Sequence, residues 1–174
     1  FHFNISMISR GKRKSAVASA AYISCEKLTN EWDGVTHDYH NKKGNFIHTY
    51  AGIELRLKMY EIMKKQGHEE ETGKAKITSG YNLPAKYILH TVGPIIQWEV
   101  TGKEEELLAS CYRECLKLAA DTGAESVAFC CLSTGVFRFP QQRAAEIATE
   151  TVKNYINEDS RIKKSYLTYS RTMI

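Results

Sequence analysis

Segments with helical and strand-like apolar spacing alternate along the chain from Ile53 to its end, and this alternation limits the possible folds most strongly. Apolar residues from Ile53 to Met63 recur at helical spacing, and Gly67 stands where the end of a helix favours a left-handed residue. Such alternation predicts an α/β fold with a mostly parallel or mixed sheet flanked by helices. The other patterns predict helices over residues 104–122 and 141–157, and strands over 74–81, 86–92, 126–132 and 165–170.

The length and residue usage of the chain narrow the class of protein further. A chain of 174 residues is long enough for one α/β domain, and it contains no apolar run that could span a bilayer, so we expect no membrane partner. Residues 1–9 lack the features of a signal peptide, and we interpret Phe1 as an internal start or the start of a fragment. Five cysteines without a CxxC pair make a poor disulfide framework, which favours a cytoplasmic location.

The N-terminal part of the chain carries most of the basic charge. Residues 1–50 hold seven Lys and Arg against four Asp and Glu, whereas the rest of the chain holds 17 against 16. A strand predicted over residues 1–9 is followed by a basic turn, which is compatible with nucleic-acid binding and also with an ordinary solvated turn. An alanine-rich helix is predicted from Ser15 to about Thr29, and a loop over residues 30–45. The basic turn contains Arg10, Lys12, Arg13 and Lys14.

The connection between the apolar strand at 126–132 and the next helix has the composition of a phosphate-binding loop. Residues 133–140 are Ser-Thr-Gly-Val-Phe-Arg-Phe-Pro. Backbone N–H groups at the start of a helix attract anions, and Gly135 lets the backbone approach a ligand without a side chain in the way. Phe137 offers a flat surface to a sugar or base, and Arg138 offers a charge to a phosphate. The same residues also fit an ordinary turn, because a single glycine is a weak phosphate motif.

Four segments together carry a resemblance to a known family. They are Cys-Cys-Leu-Ser-Thr-Gly-Val-Phe-Arg-Phe-Pro, Ile-His-Thr-Tyr-Ala-Gly-Ile-Glu-Leu-Arg-Leu, Glu-Thr-Gly-Lys-Ala-Lys-Ile-Thr and Tyr-Asn-Leu-Pro-Ala-Lys-Tyr-Ile-Leu-His-Thr-Val-Gly-Pro. Over about residues 47–170 the chain resembles the macro domain, an ADP-ribose-binding module, in its zinc-dependent bacterial protein-ADP-ribosyl hydrolase branch. That family often has a small residue or a histidine in place of Arg138. The resemblance implies a three-layer fold with an ADP-ribose site formed by Ser133, Thr134, Gly135, Val136, Phe137 and Arg138.

Several elements of that family's pattern are missing from the chain. A whole macro domain begins with two further strands that supply an aspartate for the adenine, then an Asn-rich loop for the distal ribose and Cys and His zinc ligands. This chain has no Asn-Ala-Ala-Asn motif, so residues 47–174 are predicted to be a partial macro domain, N-terminally incomplete or substituted. Histidines on a polar surface are usually solvated, and we predict no metal and no other cofactor. The histidines available as metal ligands are His37, His40 and His48.

The first part of the chain resembles a different family. The segments Phe-His-Phe-Asn-Ile-Ser-Met-Ile-Ser-Arg and Ser-Ala-Val-Ala-Ser-Ala-Ala-Tyr are similar to the N-terminus of MobA/MobL-type plasmid mobilisation relaxases. In that family the tyrosine matching Tyr22 attacks a DNA phosphodiester with the help of a metal. The relaxase metal histidines are absent here, and the alternative role of Tyr22 is packing of a helix on the sheet. Residues 1–46 are therefore predicted to be a relaxase-like segment, joined to the macro domain at about residues 47–49.

Five further residues have reactive or charged side chains without a predicted role in the site. Cys111 and Cys115 share one face of a helix, and free cysteines of this kind usually pack in the core. Cys130 and Cys131 lie on the buried strand before the phosphate loop and are also predicted to be core residues. Arg143 follows the loop on the next helix, where a solvated surface position is expected.

These observations leave three functional readings open. The first is binding of ADP-ribose or an ADP-ribosylated protein, in a domain related to hydrolases but without their adenine, ribose and zinc elements, so that hydrolysis is uncertain. The second is DNA binding or nicking through Tyr22 and the basic turn. The third is a non-functional fusion with an unpaired sheet edge, in which residues 74–92 would exchange their amide hydrogens quickly. The predicted N-terminal strand and helix would close the sheet if they replace the missing strand.

Overall fold

A computed structural model describes residues 20–25, 44–135 and 137–167, with side chains from residue 47 onward except at 49 and 136. Strands and helices alternate through the described chain, as the apolar patterns predict. The elements are β1 (Ala20–Cys25), α1 (Gly44–Ala51), α2 (Ile53–Gln66), β2 (Ala75–Ser79), β3 (Tyr87–Thr91), α3 (Gly102–Asp121), β4 (Ser126–Phe129), α4 (Gln141–Glu158) and β5 (Lys164–Leu167).

The five described strands form one mixed sheet in the order β2-β3-β1-β4-β5. β1 pairs in parallel with β3 on one side and with β4 on the other, and β4 pairs in parallel with β5. β2 is antiparallel to β3. The predicted α/β class, with a mixed sheet flanked by helices, is therefore confirmed. Within the described residues, no helix combines the length and the apolar character that crossing a bilayer would require.

The helix predicted from Ser15 to Thr29 is wrong over the part that the structure describes, because Ala20–Cys25 forms the strand β1. Tyr22 lies in register with Ile88 on one side and Ala128 on the other. Alanine favours a helix in isolation, but a position between two parallel strands gives this backbone ladder partners on both sides, and such tertiary context overrides propensity. β1, which comes from the segment predicted to be a helix, occupies the place between β3 and β4 in the sheet. The strand predicted over residues 1–9 lies outside the described residues.

The remaining predicted elements are confirmed with small changes at their ends. α2 ends at Gly67, whose φ of 78° is left-handed and whose N–H donates to the carbonyl oxygen of Met63 at 2.9 Å. β4 ends at Phe129, three residues earlier than the apolar run predicts, since the run continues into the loop. α1 begins at Gly44, so the loop predicted over residues 30–45 is wrong at its last two residues and otherwise lies outside the described chain.

Neighbouring residues of β3 show that the sheet lies between two helical layers. Ile88 and Leu89 are both fully buried, and because successive strand residues point to opposite faces, they belong to different apolar clusters. Ile88 packs with Ala51 and Leu55 of α1 and α2. Leu89 belongs to the larger cluster, with buried residues of α3 and α4 such as Leu108. The three-layer arrangement is therefore confirmed.

Candidate functional site

Two loops meet at the edge of the sheet where the parallel strands β3, β1 and β4 have their carboxyl ends. One loop follows β3 and the other follows β4, while β1 lies between these two strands in the sheet. The N–H of Ile96 in the first loop donates to the carbonyl oxygen of Phe137 in the second at 2.8 Å. The two loops are thus joined near the carboxyl end of β1, which is where α/β sheets usually bind ligands.

The loop after β4 is closed on itself by two backbone hydrogen bonds. The N–H of Phe139 donates to the carbonyl oxygen of Ser133 at 2.9 Å, and the N–H of Arg138 donates to that of Gly135 at 3.0 Å. The loop is also held at both ends by apolar side chains, because Leu132 and Phe139 are buried in the main core. We call residues 133–139 the β4 loop. The fold itself therefore holds both ends of the loop in place.

Ser133 has an unusual environment for a polar residue. Its side chain is 5% exposed, and its Oγ has no hydrogen-bond partner among the described residues. Its backbone φ of 59° is left-handed, a conformation that is uncommon for residues other than glycine. A buried hydroxyl without a partner costs about 1 to 3 kcal/mol. Unsatisfied groups and strained backbones of this kind cluster at ligand sites, so the base of the β4 loop is a candidate binding position.

The other predicted site residues line the β4 loop from its interior to its rim. Gly135 is exposed, and a Cβ atom placed on it would meet no atom within 4 Å, so the space above its backbone is open. Thr134 and Phe137 are half-buried, and Arg138 is exposed. Val136 lies outside the described residues. The structure therefore brings five of the six predicted residues together on one short, closed loop.

Helix α4 begins at Gln141, directly after this loop, and no side chain caps its first N–H groups. The first N–H groups of a helix have no partner within the helix, and the helix dipole adds a partial positive charge there. The β4 loop and the start of α4 therefore place backbone donors and positive potential beside the open space over Gly135. An anion such as a phosphate suits this arrangement.

Arg138 adopts a left-handed backbone with a φ of 61°. A side chain in this region costs about 1 to 2 kcal/mol, and glycine relieves that strain while adding freedom to the unfolded chain. We therefore expect Arg138→Gly to raise the free energy of unfolding by about 0.5 to 1 kcal/mol in urea denaturation. Arg138→Ala is the control, since it removes the guanidinium but keeps the strain and should change little. Lower stability in the glycine variant would contradict this explanation.

A buried histidine near the carboxyl edge of the sheet was not predicted to be a site residue. His90 on β3 is fully buried and shares a hydrogen bond of 2.9 Å between its Nε2 and the Oγ1 of Thr78. Its ring centroid lies 6.5 Å from that of the half-buried His48 on α1. The signal in the sequence was a histidine inside the apolar run of β3. Among the described residues no group of three or more His, Cys, Asp or Glu is placed to hold a metal, and His37 and His40 lie outside them.

Arg143 on α4 is engaged by carboxylates rather than directed at the β4 loop. Its Nε and one terminal nitrogen donate to the two oxygens of Glu105 on α3 at 2.6 and 2.8 Å, and its other terminal nitrogen donates to Glu146 at 3.1 Å. The hydrogen bond with Glu105 raises the pKa of Arg143, and it lowers the pKa of Glu105. This exposed pair connects α4 to α3 behind the loop.

The cysteines are placed as follows. Cys111 and Cys115 are fully buried in the main core, as predicted. Cys130 and Cys131 are only half-buried, so the prediction that both are core residues is wrong. The reason is that β4 ends at Phe129 and leaves both cysteines in the loop that follows.

Comparison with known proteins relates the chain to two families. A family model described as the MobA/MobL family matches residues 14–51, and one described as the macro domain matches residues 37–148. A protein-ADP-ribose hydrolase of Treponema medium is 60% identical over 111 residues, which is 64% of this chain and 42% of that protein. The chain spans less than half the length of this relative and of a hydrolase of the same name from Staphylococcus aureus.

Solved structures extend the relationship to the whole fold. The macrodomain of Oceanobacillus iheyensis with ADP is 33% identical, with a TM-score of 0.72 over 92% of this chain and 82% of that one. The macrodomain of Trypanosoma brucei in complex with ADP-ribose is 30% identical, with a TM-score of 0.66 over 87% of this chain and 57% of that one. With a family model that matches more than half of its length and a solved relative that it largely covers, this chain belongs to the macro domain family.

Proposed function

We propose that the β4 loop binds ADP-ribose, free or attached to a protein, by its diphosphate. The observation that carries the proposal is the buried, unpartnered hydroxyl of Ser133 at the base of a loop whose centre, at Gly135, is open to a ligand. The relatives support it, since one is named a protein-ADP-ribose hydrolase and another was solved with ADP-ribose. The energy that the fold loses at Ser133 is recovered when a ligand supplies the missing partner.

Each residue of the β4 loop has a role that suits its position. Backbone N–H groups around Gly135 and at the start of α4 donate to phosphate oxygens, and the helix dipole favours the negative charge. The hydroxyl of Ser133 donates to an oxygen of the ligand. The half-buried ring of Phe137 lies against a ribose, and the exposed guanidinium of Arg138 attracts the diphosphate from the rim. The half-buried Thr134 lines the wall of the loop, and Val136 remains a binding residue implied by the resemblance alone.

Binding, rather than hydrolysis, is the activity proposed for this chain. Hydrolysis of the bond to a protein needs a water activated beside the anomeric carbon. In the zinc-dependent branch, which the sequence resembles, this chemistry belongs to segments that we propose are lost here, together with the adenine and distal-ribose contacts. In that branch the zinc would polarise the water; in the described residues no side-chain cluster fits such an ion. The proposed binding uses only donors of this chain.

Calorimetric titration with ADP-ribose tests the proposal. We expect one site, and we expect Ser133→Ala to weaken binding about tenfold, the equivalent of one ligand hydrogen bond. In the same variant the free energy of unfolding of the ligand-free protein should rise by about 1 kcal/mol, because the unpaired hydroxyl is gone. Urea denaturation would measure this gain. Adenosine, which lacks phosphate, is the ligand control and should bind far more weakly. A folded wild-type protein that releases no heat with ADP-ribose would contradict the proposal.

A relaxase-derived activity is the second candidate, because the MobA/MobL match covers residues 14–51. Tyr22 would be the nucleophile of that activity. It lies on the central strand β1, which pairs with a neighbouring strand on each side. The basic residues Arg10 to Lys14 lie outside the described chain. Salt-sensitive binding of single-stranded DNA would support this candidate over the first.

We propose the cytoplasm as the location of the protein for either function. The division of the chain into a segment of residues 1–46 and a domain of residues 47–174 is also a proposal.

A further inference from the structure

The loop that follows β3, which is hydrogen-bonded to the β4 loop, exposes two large apolar side chains. Trp98 is 93% exposed and Ile95 is 56% exposed, although both residue types are usually buried to a greater extent. We call these two side chains the Trp98 surface. A single exposed apolar residue needs no explanation, but a nearly fully exposed indole next to a binding loop suggests a contact with a partner.

The backbone of this loop is held in place, so the exposure of Trp98 follows from the fold. Ile96 is 7% exposed and packs in the main core, and Val100 packs against the same core. Thr101 then caps α3, with its hydroxyl accepting from the N–H of Lys103 at 3.3 Å and its own N–H donating to Glu104 at 3.1 Å. Residues on both sides of Trp98 are therefore anchored.

The same loop is connected to the β4 loop. Ile96, adjacent to Ile95 and two residues before Trp98, donates its N–H to Phe137 at 2.8 Å. The loop that carries the Trp98 surface is thus hydrogen-bonded to the rim of the site proposed for ADP-ribose. ADP-ribose itself is polar and charged, and gives no reason to keep an indole in water. The apolar partner that would reach this rim together with ADP-ribose is the polypeptide to which it is attached.

We propose that the Trp98 surface docks the polypeptide of an ADP-ribosylated protein, through an apolar side chain next to the modified residue. This inference rests on the proposed binding of ADP-ribose by the β4 loop. Trp98 covers the apolar side chain, while the β4 loop holds the diphosphate. Aromatic side chains that become buried on binding often supply most of the affinity of an interface. The chain would therefore prefer modified proteins with an apolar neighbour over free ADP-ribose.

The test measures by calorimetry how the wild type and three variants bind each of three ligands. The ligands are free ADP-ribose and an ADP-ribosylated peptide with Leu beside the modified residue, and the same peptide with Gly at that position is the ligand control. Trp98→Ala should lose about tenfold in affinity for the Leu peptide and less than twofold for ADP-ribose. Trp98→Phe should lose less. Tyr166→Ala, which removes an exposed aromatic residue from β5, is the matched control and should behave as wild type.

The outcomes separate this proposal from the one on which it rests. Docking would be overturned if Trp98→Ala lost the same affinity for free ADP-ribose as for the modified Leu peptide. It would also be overturned if the wild type bound the modified Leu and Gly peptides equally well. Either result would leave the proposed binding of ADP-ribose intact. Tight binding of the unmodified Leu peptide would overturn docking too, since the surface would then act alone. If the folded wild type binds neither free ADP-ribose nor the modified peptides, the proposed function itself fails, and this inference fails with it.

Discussion

Gly80→Ala is expected to lower the free energy of unfolding by about 3 kcal/mol or more, the largest stability effect predicted for this protein. A Cβ atom on Gly80 would lie 1.8 Å from the carbonyl oxygen of Ala85 and 2.8 Å from its carbonyl carbon. Both atoms are backbone, so no side chain can rotate to make room. Urea denaturation of the variant and of the wild type would measure the loss.

The turn around Gly80 cannot move easily, because hydrogen bonds fix it on both sides. The N–H of Gly80 donates to the carbonyl oxygen of Lys86 at 2.9 Å, and the N–H of Leu83 donates to that of Gly80 at 2.9 Å. The turn also touches the helical layer, since the N–H of Asn82 donates to Ala51 at 3.3 Å. Widening the turn to admit a methyl group would break some of these contacts or separate β2 from β3.

Gly102→Ala is the matched control for this prediction. Gly102 is the first residue of α3, and a Cβ atom there would meet nothing within 4 Å. Because alanine is the better helix former, this variant should be as stable as the wild type or slightly more stable. If Gly80→Ala unfolded at the same urea concentration as Gly102→Ala, the predicted clash between the new Cβ atom and the backbone of Ala85 would be contradicted. Gly80 lies at the opposite edge of the sheet from the β4 loop, so ligand affinity should be retained.

The helices and strands from Ile53 onward were predictable from sequence because the residues that each of them buries recur at regular spacing. α2 shows this well, since its buried residues Leu55, Met59 and Met63 recur at helical spacing and Gly67 ends it with a left-handed backbone. The placement of the β4 loop followed in the same way, because a loop after a parallel strand must reach the carboxyl edge of the sheet. The macro domain and MobA/MobL resemblances rested on short motifs, and both family models match.

The strand β1 was not predictable from local pattern, and the reason is tertiary. Its sequence, Ala-Ala-Tyr-Ile-Ser-Cys, has two alanines that favour a helix, while its partners β3 and β4 lie more than 60 residues further along the chain. Only the gap between those two strands explains why this segment is extended. Ser133 is a second case, because neither a buried hydroxyl without a partner nor a left-handed φ can be inferred from a serine in a loop.

Gly135→Glu is expected to lower the affinity for ADP-ribose at least about a hundredfold, close to 3 kcal/mol, without changing stability. A carboxylate at this position would stand beside the space proposed for the diphosphate, and like charges placed together at a binding site cost several kcal/mol. The folded protein should accept the side chain, because a Cβ atom at Gly135 meets no atom within 4 Å and its φ lies outside the left-handed region. Calorimetric titration and urea denaturation would measure both quantities.

Gly135→Gln separates the charge of the new side chain from its bulk. Glutamine has nearly the same size as glutamate, so the difference in affinity between the two variants reports on the negative charge of the ligand at this point of the loop. We expect glutamine to weaken binding less than glutamate does, and we expect salt to reduce the difference. Equal affinity of both variants would show that the diphosphate does not lie over Gly135. Together with Gly80→Ala, which should lose stability and retain binding, this pair would place the ligand at the carboxyl edge of the sheet.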